Sequence, residues 1–259
     1  MERVVVVTGG ASGIGRCLVE SFANKGDIVY FIDNNEKELN EFMSRMRDGS
    51  LNVTGYHGDI ASEQVLRDFA DLILSHYPDG IHCLINNACL SKKGIISGCS
   101  YDDFMYTMRV GVAAPYLLAL LFKDHFCGLG SIVNISSTRA FQSQPDTESY
   151  SAAKGGITAL THALAVSLAG VARVNSVAPG WIDTAAFHNG GEHYVPSYSV
   201  GDVIQHPSGR VGDPSDVVRV VDFLCDERNS FINGENITVD GGMSHLMIYH
   251  DDYGWKINS

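Results

Sequence analysis

Short β-branched segments alternate with longer segments of helical periodicity along the chain, and this alternation limits the possible folds more than any other feature. Because strands that alternate with helices form βαβ units, the order predicts a parallel sheet covered by helices on both faces. Residues 3–7, 28–32, 51–56, 81–85, 130–135, 171–177 and 236–239 are the predicted strands. Residues 15–25, 36–47, 62–77, 101–125, 150–169 and 214–226 are the predicted helices.

Composition excludes several classes of protein. With 45% hydrophobic and 19% charged residues among 259, the chain has enough apolar content for a packed core, which excludes wholesale disorder. A formal net charge of −12 disfavours electrostatic binding to nucleic acid or to anionic lipid. Every apolar run is shorter than a membrane span, and we expect no signal peptide. The six cysteines are scattered without zinc-ligand spacing, so we predict reduced thiols, no metal site and a cytoplasmic location.

The first predicted strand runs into a glycine-rich turn, Thr-Gly-Gly-Ala-Ser-Gly-Ile-Gly, at residues 8–15. Glycines let the backbone approach a pyrophosphate closely, and the helix that follows offers free N–H groups at the positive end of its dipole. The spacing Gly-x-x-x-Gly-x-Gly differs from the common Gly-x-Gly-x-x-Gly. The turn therefore indicates either a dinucleotide site or an ordinary connection between strand and helix.

Carboxylates follow the second and third predicted strands. Asp33 stands where a carboxylate accepts hydrogen bonds from a ribose 2′-hydroxyl and repels a 2′-phosphate. No Arg or Lys directly precedes Gly13 or follows Asp33, and the nearest basic candidate is Arg16, so we predict NAD rather than NADP. Asp59 is placed either to meet the adenine or to cap the next helix.

Tyr150 and Lys154 lie four residues apart in a predicted helix and therefore project from one face. A neighbouring ammonium lowers the pKa of a phenol, which would let Tyr150 act as general base in alcohol oxidation or as acid in ketone reduction. Ser137 precedes the tyrosine at the end of a predicted strand and could hydrogen-bond a substrate oxygen. The alternatives are a surface tyrosine beside a solvated lysine, and a serine that caps a loop.

In combination these motifs resemble the classical short-chain dehydrogenase/reductase family over about residues 3–242. The resemblance rests, in chain order, on Thr8-Gly9-x-x-x-Gly13-x-Gly15, Asp33, Asp59, Asn86-Asn87-Ala88, Ser137, Tyr150-x-x-x-Lys154 and Pro179-Gly180. It implies one doubly wound Rossmann domain over residues 1–259, with about seven parallel strands, helices on both faces, and NAD(P) bound across the strand ends.

The resemblance also implies individual roles. Ser137, Tyr150 and Lys154 would be catalytic. The cofactor would be held by Gly9, Gly13, Ile14 and Gly15 at the pyrophosphate, Asp33 at the adenosine ribose, Asp59 and Ile60 at the adenine, Asn87 and Ala88 along the groove, Tyr150 and Lys154 near the nicotinamide ribose, and Pro179, Gly180, Ile182 and Thr184 at the carboxamide.

The sequence departs from the family pattern at two positions. Cys89 follows Asn86-Asn87-Ala88 where the family usually has glycine, so its side chain either crowds the pocket or packs. Gly111 stands where many members have an asparagine that helps hold a water in a proton relay leading from the lysine. Glycine keeps the carbonyl but loses the side chain, so we expect activity to survive, at a lower rate.

Two segments lie outside the strand–helix pattern. Residues 181–207 form a long irregular stretch with several aromatic residues, which indicates either a substrate lid or a variable surface loop. The tail, residues 243–259, mixes apolar and charged side chains. We expect it to pack on a neighbouring subunit or to close the substrate pocket.

These observations predict an NAD-dependent oxidoreductase that transfers a hydride between nicotinamide and a secondary alcohol or ketone. The candidate substrates are sugars or polyols, hydroxysteroids and acyl-chain ketones, and the negative net charge argues against highly anionic ones. The expected assembly is a homodimer or homotetramer, as is usual in the family. The alternative is an NAD-binding sensor or scaffold with weak or no turnover, which only Gly111 supports.

Overall fold

Seven strands form one parallel sheet in the computed structural model, which describes residues 2–46 and 51–247. The strand order over these residues is β3-β2-β1-β4-β5-β6-β7, and every neighbouring pair is parallel, which confirms the predicted doubly wound sheet. The strands are β1 Val4–Thr8, β2 Ile28–Asp33, β3 Val53–His57, β4 Ile81–Asn86, β5 Phe126–Ile135, β6 Ala172–Pro179 and β7 Asn236–Val239. The order reverses between β1 and β4, where such sheets open a crevice for ligands.

Helices cover both faces of the sheet because alternate strand residues point to opposite sides. Val5 and Val7 of β1 pack against α1, α2 and α8, while Val4 and Val6 pack against α3, α5 and α6. The helices are α1 Gly13–Asn24, α2 Glu36–Met46, α3 Glu63–His76, α4 Tyr101–Met108, α5 Ala114–Phe122, α6 Glu148–Ser167, α7 Val200–Ile204 and α8 Pro214–Cys225. Residue 47, which the sequence placed at the end of α2, lies outside the described residues.

The single helix predicted over residues 101–125 is interrupted by a π-helical turn, Arg109–Ala113, between α4 and α5. By length and composition alone, Tyr101–Phe122 could span a membrane, since its mean hydropathy reaches 1.4. Leu118 and Phe122 are fully buried in the core beside the sheet, and a core helix of this kind needs the same apolar composition.

The segment over residues 181–207 is less irregular than predicted. It contains two single 3₁₀ turns, Ala185–Phe187 and Gly191–His193, and the short helix α7. Ser199 and Asp202 form a capping box at the start of α7, a signal present in the sequence that the lack of longer periodicity concealed. Its role as a lid stays a prediction. Of the tail, residues 243–247 are described, and the remainder lies outside the described residues.

Gly15 is required by a close contact between the first turn of α1 and the loop before it. A Cβ atom at this position would lie 1.8 Å from the carbonyl oxygen of Gly9. We therefore expect Gly15→Ala to lower the free energy of unfolding by about 3 kcal/mol, measured by urea denaturation without cofactor.

Gly155 in α6 is the matched control, because a Cβ atom there would meet nothing within 4 Å. Gly155→Ala should leave stability unchanged or raise it by up to about 1 kcal/mol, since alanine is the better helix former. Equal losses from the two substitutions would contradict the contact at Gly15.

Candidate active site

A first cavity of about 400 Å³ opens at the carboxyl ends of β1, β2 and β4, over the glycine turn. Nine of the predicted cofactor residues line it: Gly9, Gly13, Ile14, Asp33, Asp59, Ile60, Asn87, Ala88 and Thr184. Gly9 and Gly13 have φ angles of 67° and 57°, a left-handed conformation that glycine adopts without strain. The turn thus presents backbone rather than side chains to this cavity.

Hydrogen bonds from the residues after β4 hold the glycine turn in place. The Asn87 side-chain amide donates to the carbonyl oxygens of Thr8 and Gly9, at 3.0 Å each. The Thr8 hydroxyl oxygen in turn accepts from the backbone N–H groups of Asn87 and Ala88, also at 3.0 Å. We call these four contacts the Thr8–Asn87 clamp. Asn87 was predicted from the sequence as a groove residue, whereas the part played by Thr8 was missed.

Two carboxylates and no lysine or arginine line the first cavity among the described residues. Asp33 accepts from the backbone N–H groups of Ala11 and Asn35, at 3.0 and 2.9 Å, which fixes its carboxylate at the end of β2. Asp59 accepts from the Ala61 N–H and from the Tyr106 hydroxyl, both at 2.9 Å. Asp59 therefore caps the loop after β3 and also lines the first cavity.

Arg16, the nearest basic candidate for a 2′-phosphate, faces away from the first cavity. Its guanidinium is buried, pairs with Glu20 at 2.9 Å, and lies 5.2 Å from the centroid of the Phe42 ring. The positive charge is therefore used in packing α1 against α2.

A second cavity, of about 700 Å³, lies at the carboxyl ends of β5 and β6. Its lining residues are Ser91, Ser137, Thr138, Arg139, Gln142, Ser143, Gln144, Thr147, Tyr150, Gly180, Trp181, Gln205 and Met243. The predicted catalytic residues Ser137 and Tyr150 both line this cavity, and the Ser137 hydroxyl is near enough to act on the pKa of the Tyr150 phenol. Trp181, Gln205 and Met243 come from the predicted lid and tail.

Cys89 stands at the boundary between the two cavities. It is exposed, it lines the first cavity, and it lies near Tyr150, which lines the second. Burial raises the pKa of the Tyr150 phenol well above its usual value, and the neighbouring Cys89 raises it further. The Ser137 hydroxyl and the charge of Arg139 act in the opposite direction. Tyr150 therefore needs nearby positive charge to stabilise its phenolate before it can accept a proton.

Lys154 is buried beside the ring of Tyr150. Its Nζ lies 5.5 Å from the centroid of the Tyr150 ring and donates to the Ile135 carbonyl oxygen at 2.7 Å. An ammonium group carries three donors, so two remain for a ligand that enters between the cavities. The prediction that Lys154 lowers the pKa of Tyr150 stays a prediction.

The residues present fit a dinucleotide. A Cβ atom at Gly9 would come within 2.9 Å of Ala88 Cα, so the turn keeps a surface that only backbone can form. The N-terminus of α1 points its free N–H groups at this surface. The buried ammonium of Lys154, with donors to spare, lies beside Tyr150 of the second cavity.

Four predicted residues line neither cavity: Lys154, described above, and Ile182, Gly15 and Pro179. Ile182 lines neither cavity; it packs into the core and pairs with Gly212 in an isolated bridge. Gly15 contacts the turn from below rather than lining the first cavity. Pro179 ends β6, and its carbonyl oxygen lies 3.5 Å from the Ser137 hydroxyl. Ser136, next to Ser137 in the chain, bonds to α6, with its hydroxyl oxygen 2.6 Å from that of Thr158.

Comparison with known proteins identifies the family to which this chain belongs. Residues 9–244 match the family model described as enoyl-(acyl carrier protein) reductase. The chain belongs to the short-chain dehydrogenase/reductase family. It is 39% identical over 253 residues to an uncharacterized oxidoreductase of Thermotoga maritima, covering 96% of this chain and 98% of the relative.

Solved structures of short-chain dehydrogenases give the same result. An apo SCOR enzyme from Clostridium thermocellum superimposes with a TM-score of 0.87 at 43% identity, over 98% of both chains. The ligand-free aldohexose dehydrogenase of Thermoplasma acidophilum superimposes with a TM-score of 0.79 at 27% identity, over 95% of both chains.

Gly111, which replaces the asparagine of many short-chain dehydrogenases, has a packing explanation here. It lies in the π-helical turn, and a Cβ atom there would come within 2.8 Å of the Ala153 Cβ in α6. Any larger side chain would push the π turn away from the helix that carries Tyr150 and Lys154. The glycine therefore does not by itself indicate a decayed enzyme.

A double-mutant cycle tests this contact. Gly111→Ala should lower the free energy of unfolding by about 1–3 kcal/mol, because the added methyl group overpacks the interface. In an Ala153→Gly background the same change should cost much less, since the opposing methyl group is absent. Urea denaturation of the four proteins measures the coupling, and additivity within about 0.5 kcal/mol would contradict it.

Proposed function

We propose that this short-chain dehydrogenase is an NAD-dependent oxidoreductase that transfers a hydride between nicotinamide and the carbon of a secondary alcohol or ketone. The observation that carries the proposal is that Ser137 and Tyr150 line a cavity at the strand ends beside the one walled by the glycine turn. Cys89 of the first cavity lies near Tyr150 of the second. We place the substrate oxygen at the hydroxyls of Ser137 and Tyr150, with its carbon turned toward the first cavity.

Each side chain then has a defined task in the reaction. In oxidation, the Ser137 hydroxyl hydrogen-bonds the substrate oxygen and the Tyr150 phenolate takes its proton; in reduction, the phenol returns it. When bound, NAD supplies the ring carbon that accepts or gives the hydride. Lys154, held by the Ile135 carbonyl, donates its remaining N–H groups toward the nicotinamide ribose and places positive charge near the phenol.

NAD is the proposed cofactor because of the charges around the first cavity. Asp33 lies where the ribose hydroxyls would sit, and no lysine or arginine lines the described part of the cavity to neutralise a 2′-phosphate. Arg16, which pairs with Glu20 and lies against the Phe42 ring, does not line that cavity. A 2′-phosphate would therefore meet uncompensated negative charge.

A homo-oligomer, dimer or tetramer, is proposed as the assembly. Short-chain dehydrogenases are commonly oligomeric, and α5 exposes 51% of Tyr116 and 43% of Leu120 on the side opposite the core. Apolar surface of this kind is usually covered in an assembly. Met247, 72% exposed at the last described position, supports the same proposal for the tail.

Tyr150→Phe tests the chemistry. We expect it to lower the rate of NAD reduction, followed at 340 nm with a panel of alcohols, by about 100-fold or more, because the proton acceptor is lost. NAD binding, measured by fluorescence quenching, should persist. Tyr101→Phe is the control, since Tyr101 is 77% exposed on α4, and it should leave the rate unchanged.

The pH dependence has a definite sign. The raised pKa keeps the Tyr150 phenol protonated near neutrality, so kcat/KM for alcohol oxidation should rise as the pH rises toward that pKa. Ketone reduction, which uses the protonated phenol, should stay flat over the same range. A wild-type protein that binds NAD but turns over no substrate would instead support the sensor or scaffold function.

Asp33 tests the choice of cofactor. Asp33→Asn keeps an acceptor but removes the charge, so the ratio of NADP to NAD dissociation constants should fall by about 10-fold or more, with a larger fall for Asp33→Ala. Asp68→Ala on the outer face of α3 is the control, because its carboxylate contacts only Gln64. An unchanged ratio in both Asp33 variants would refute the assignment of NAD.

A further inference from the structure

The second cavity contains one charged side chain among its described lining residues, and that charge is positive. Arg139 lies two residues beyond Ser137, in the 3₁₀ turn Thr138–Ala140 that follows β5. Its backbone N–H donates to the Ser137 hydroxyl oxygen at 3.1 Å. The arginine is thereby fixed to the same turn that positions the serine.

The guanidinium of Arg139 lacks a counterion within the protein. Its Nη2 donates to the Gln144 side-chain oxygen. Its Nη1 is buried and has no hydrogen-bond partner in the described residues, and no carboxylate of these residues forms an ion pair with Arg139. An arginine that lines the cavity beside the reaction centre without a carboxylate partner is able to pair with an anionic group that a ligand brings into that cavity.

We propose, on the basis of the proposed function, that the substrate of this enzyme carries a carboxylate, and that Arg139 binds it. Both groups that act on the substrate, Ser137 and Tyr150, line the cavity that holds the guanidinium. A substrate whose reacting oxygen lies at the hydroxyls of Ser137 and Tyr150 can therefore place a carboxylate, elsewhere in the same cavity, at Arg139. The substrate class is a hydroxy acid in one direction and an oxo acid in the other.

A carboxylate fits this position better than a phosphate. A guanidinium presents paired N–H donors that match the two oxygens of a carboxylate. A phosphate dianion is usually held by several cations or by free N–H groups at a helix N-terminus. Arg139 is the one cation among the described lining residues.

The remaining lining indicates a substrate rich in hydroxyl groups. Amide and hydroxyl side chains predominate, from Ser91, Thr138, Gln142, Ser143, Gln144, Thr147 and Gln205. Large apolar side chains come only from Trp181 and Met243 among the described residues. This surface suits a polyhydroxy acid, whereas a steroid ring system or a long acyl chain would leave many of these polar groups unpaired. The negative net charge of the whole chain predicted against highly anionic substrates, whereas the local charge of the second cavity is positive.

The test compares polyhydroxy carboxylates with their own methyl esters, using the wild-type enzyme with NAD. We expect kcat/KM for each acid to exceed that for its ester by about 10- to 100-fold. In Arg139→Gln this ratio should fall to about one, with Arg139→Lys intermediate, because lysine keeps the charge without the paired donors. The ratio cancels any effect of the arginine on the pKa of Tyr150. Arg67→Gln, a surface arginine paired with Glu63 in α3, should leave the ratio unchanged.

A binding measurement separates this proposal from the proposed function. Calorimetry with the NAD complex of Tyr150→Phe should detect binding of the acids that is lost when Arg139→Gln is added. Such binding without turnover by the wild type would uphold the carboxylate site and overturn the oxidoreductase function.

Turnover of neutral alcohols, with acids neither bound nor preferred, would overturn the carboxylate site alone. Binding of sugar phosphates in place of the carboxylates would also overturn it. If acid and ester lose equally in Arg139→Gln, the arginine is structural and the proposal is wrong.

Discussion

The Thr8–Asn87 clamp is the interaction on which the arrangement of the site depends. The ends of β1 and β4 lie side by side at the point where the strand order reverses, and a crevice opens there in any doubly wound sheet. The clamp satisfies the polar backbone groups of that crevice internally, through the Thr8 hydroxyl and the Asn87 amide. The glycine turn can therefore stay rigid while it faces an open cavity. Core packing holds the body of α1, and the clamp holds the turn that leads into its N-terminus.

A second set of buried polar contacts does the same for α6. Asn134 of β5 donates to the Thr161 hydroxyl at 2.9 Å, and Ser136 contacts the Lys154 carbonyl at 3.1 Å. Lys154 returns a hydrogen bond to the Ile135 carbonyl. Because these contacts all join β5 to one helix, the distance between Ser137 on the strand end and Tyr150 on the helix is set by the core rather than by a loop.

Much of the fold could be predicted from the sequence, because strand and helix periodicity are local properties. The order of strands and helices, the parallel sheet and the proximity of the strand ends all follow from them. The interruption at Arg109–Ala113 could not, since the π turn depends on the space left by Ala153 in a helix some forty residues away. Helix α7 was missed because five residues are too few to show a period.

The candidate site likewise contains residues that could be predicted from the sequence and others that could not. Glycines, Asp33, Ser137, Tyr150 and Lys154 carry their signal in residue type and spacing, so the sequence could nominate them. Arg139 carries none, because an arginine after a strand is ordinarily a solvated charge. Its environment is formed by Gln144, Trp181 and Gln205, which meet only in the folded chain. The sequence therefore predicts the chemistry common to the family more readily than it predicts the substrate.

Charge is distributed in opposite senses over the two cavities, and this distribution matters more than the total. The formal net charge of −12 is spread over a surface where water and salt screen it. Inside the cavities the screening is weaker. The charges of Asp33 and Asp59 therefore dominate the first cavity, and the charge of Arg139 dominates the second. In the proposed function, the acidic cavity opposes a 2′-phosphate on the cofactor, and the basic cavity favours an anionic substrate. Tyr150 lines the basic cavity, and the positive charge of Arg139 there lowers the pKa of its phenol and so favours the phenolate that the proposed alcohol oxidation requires.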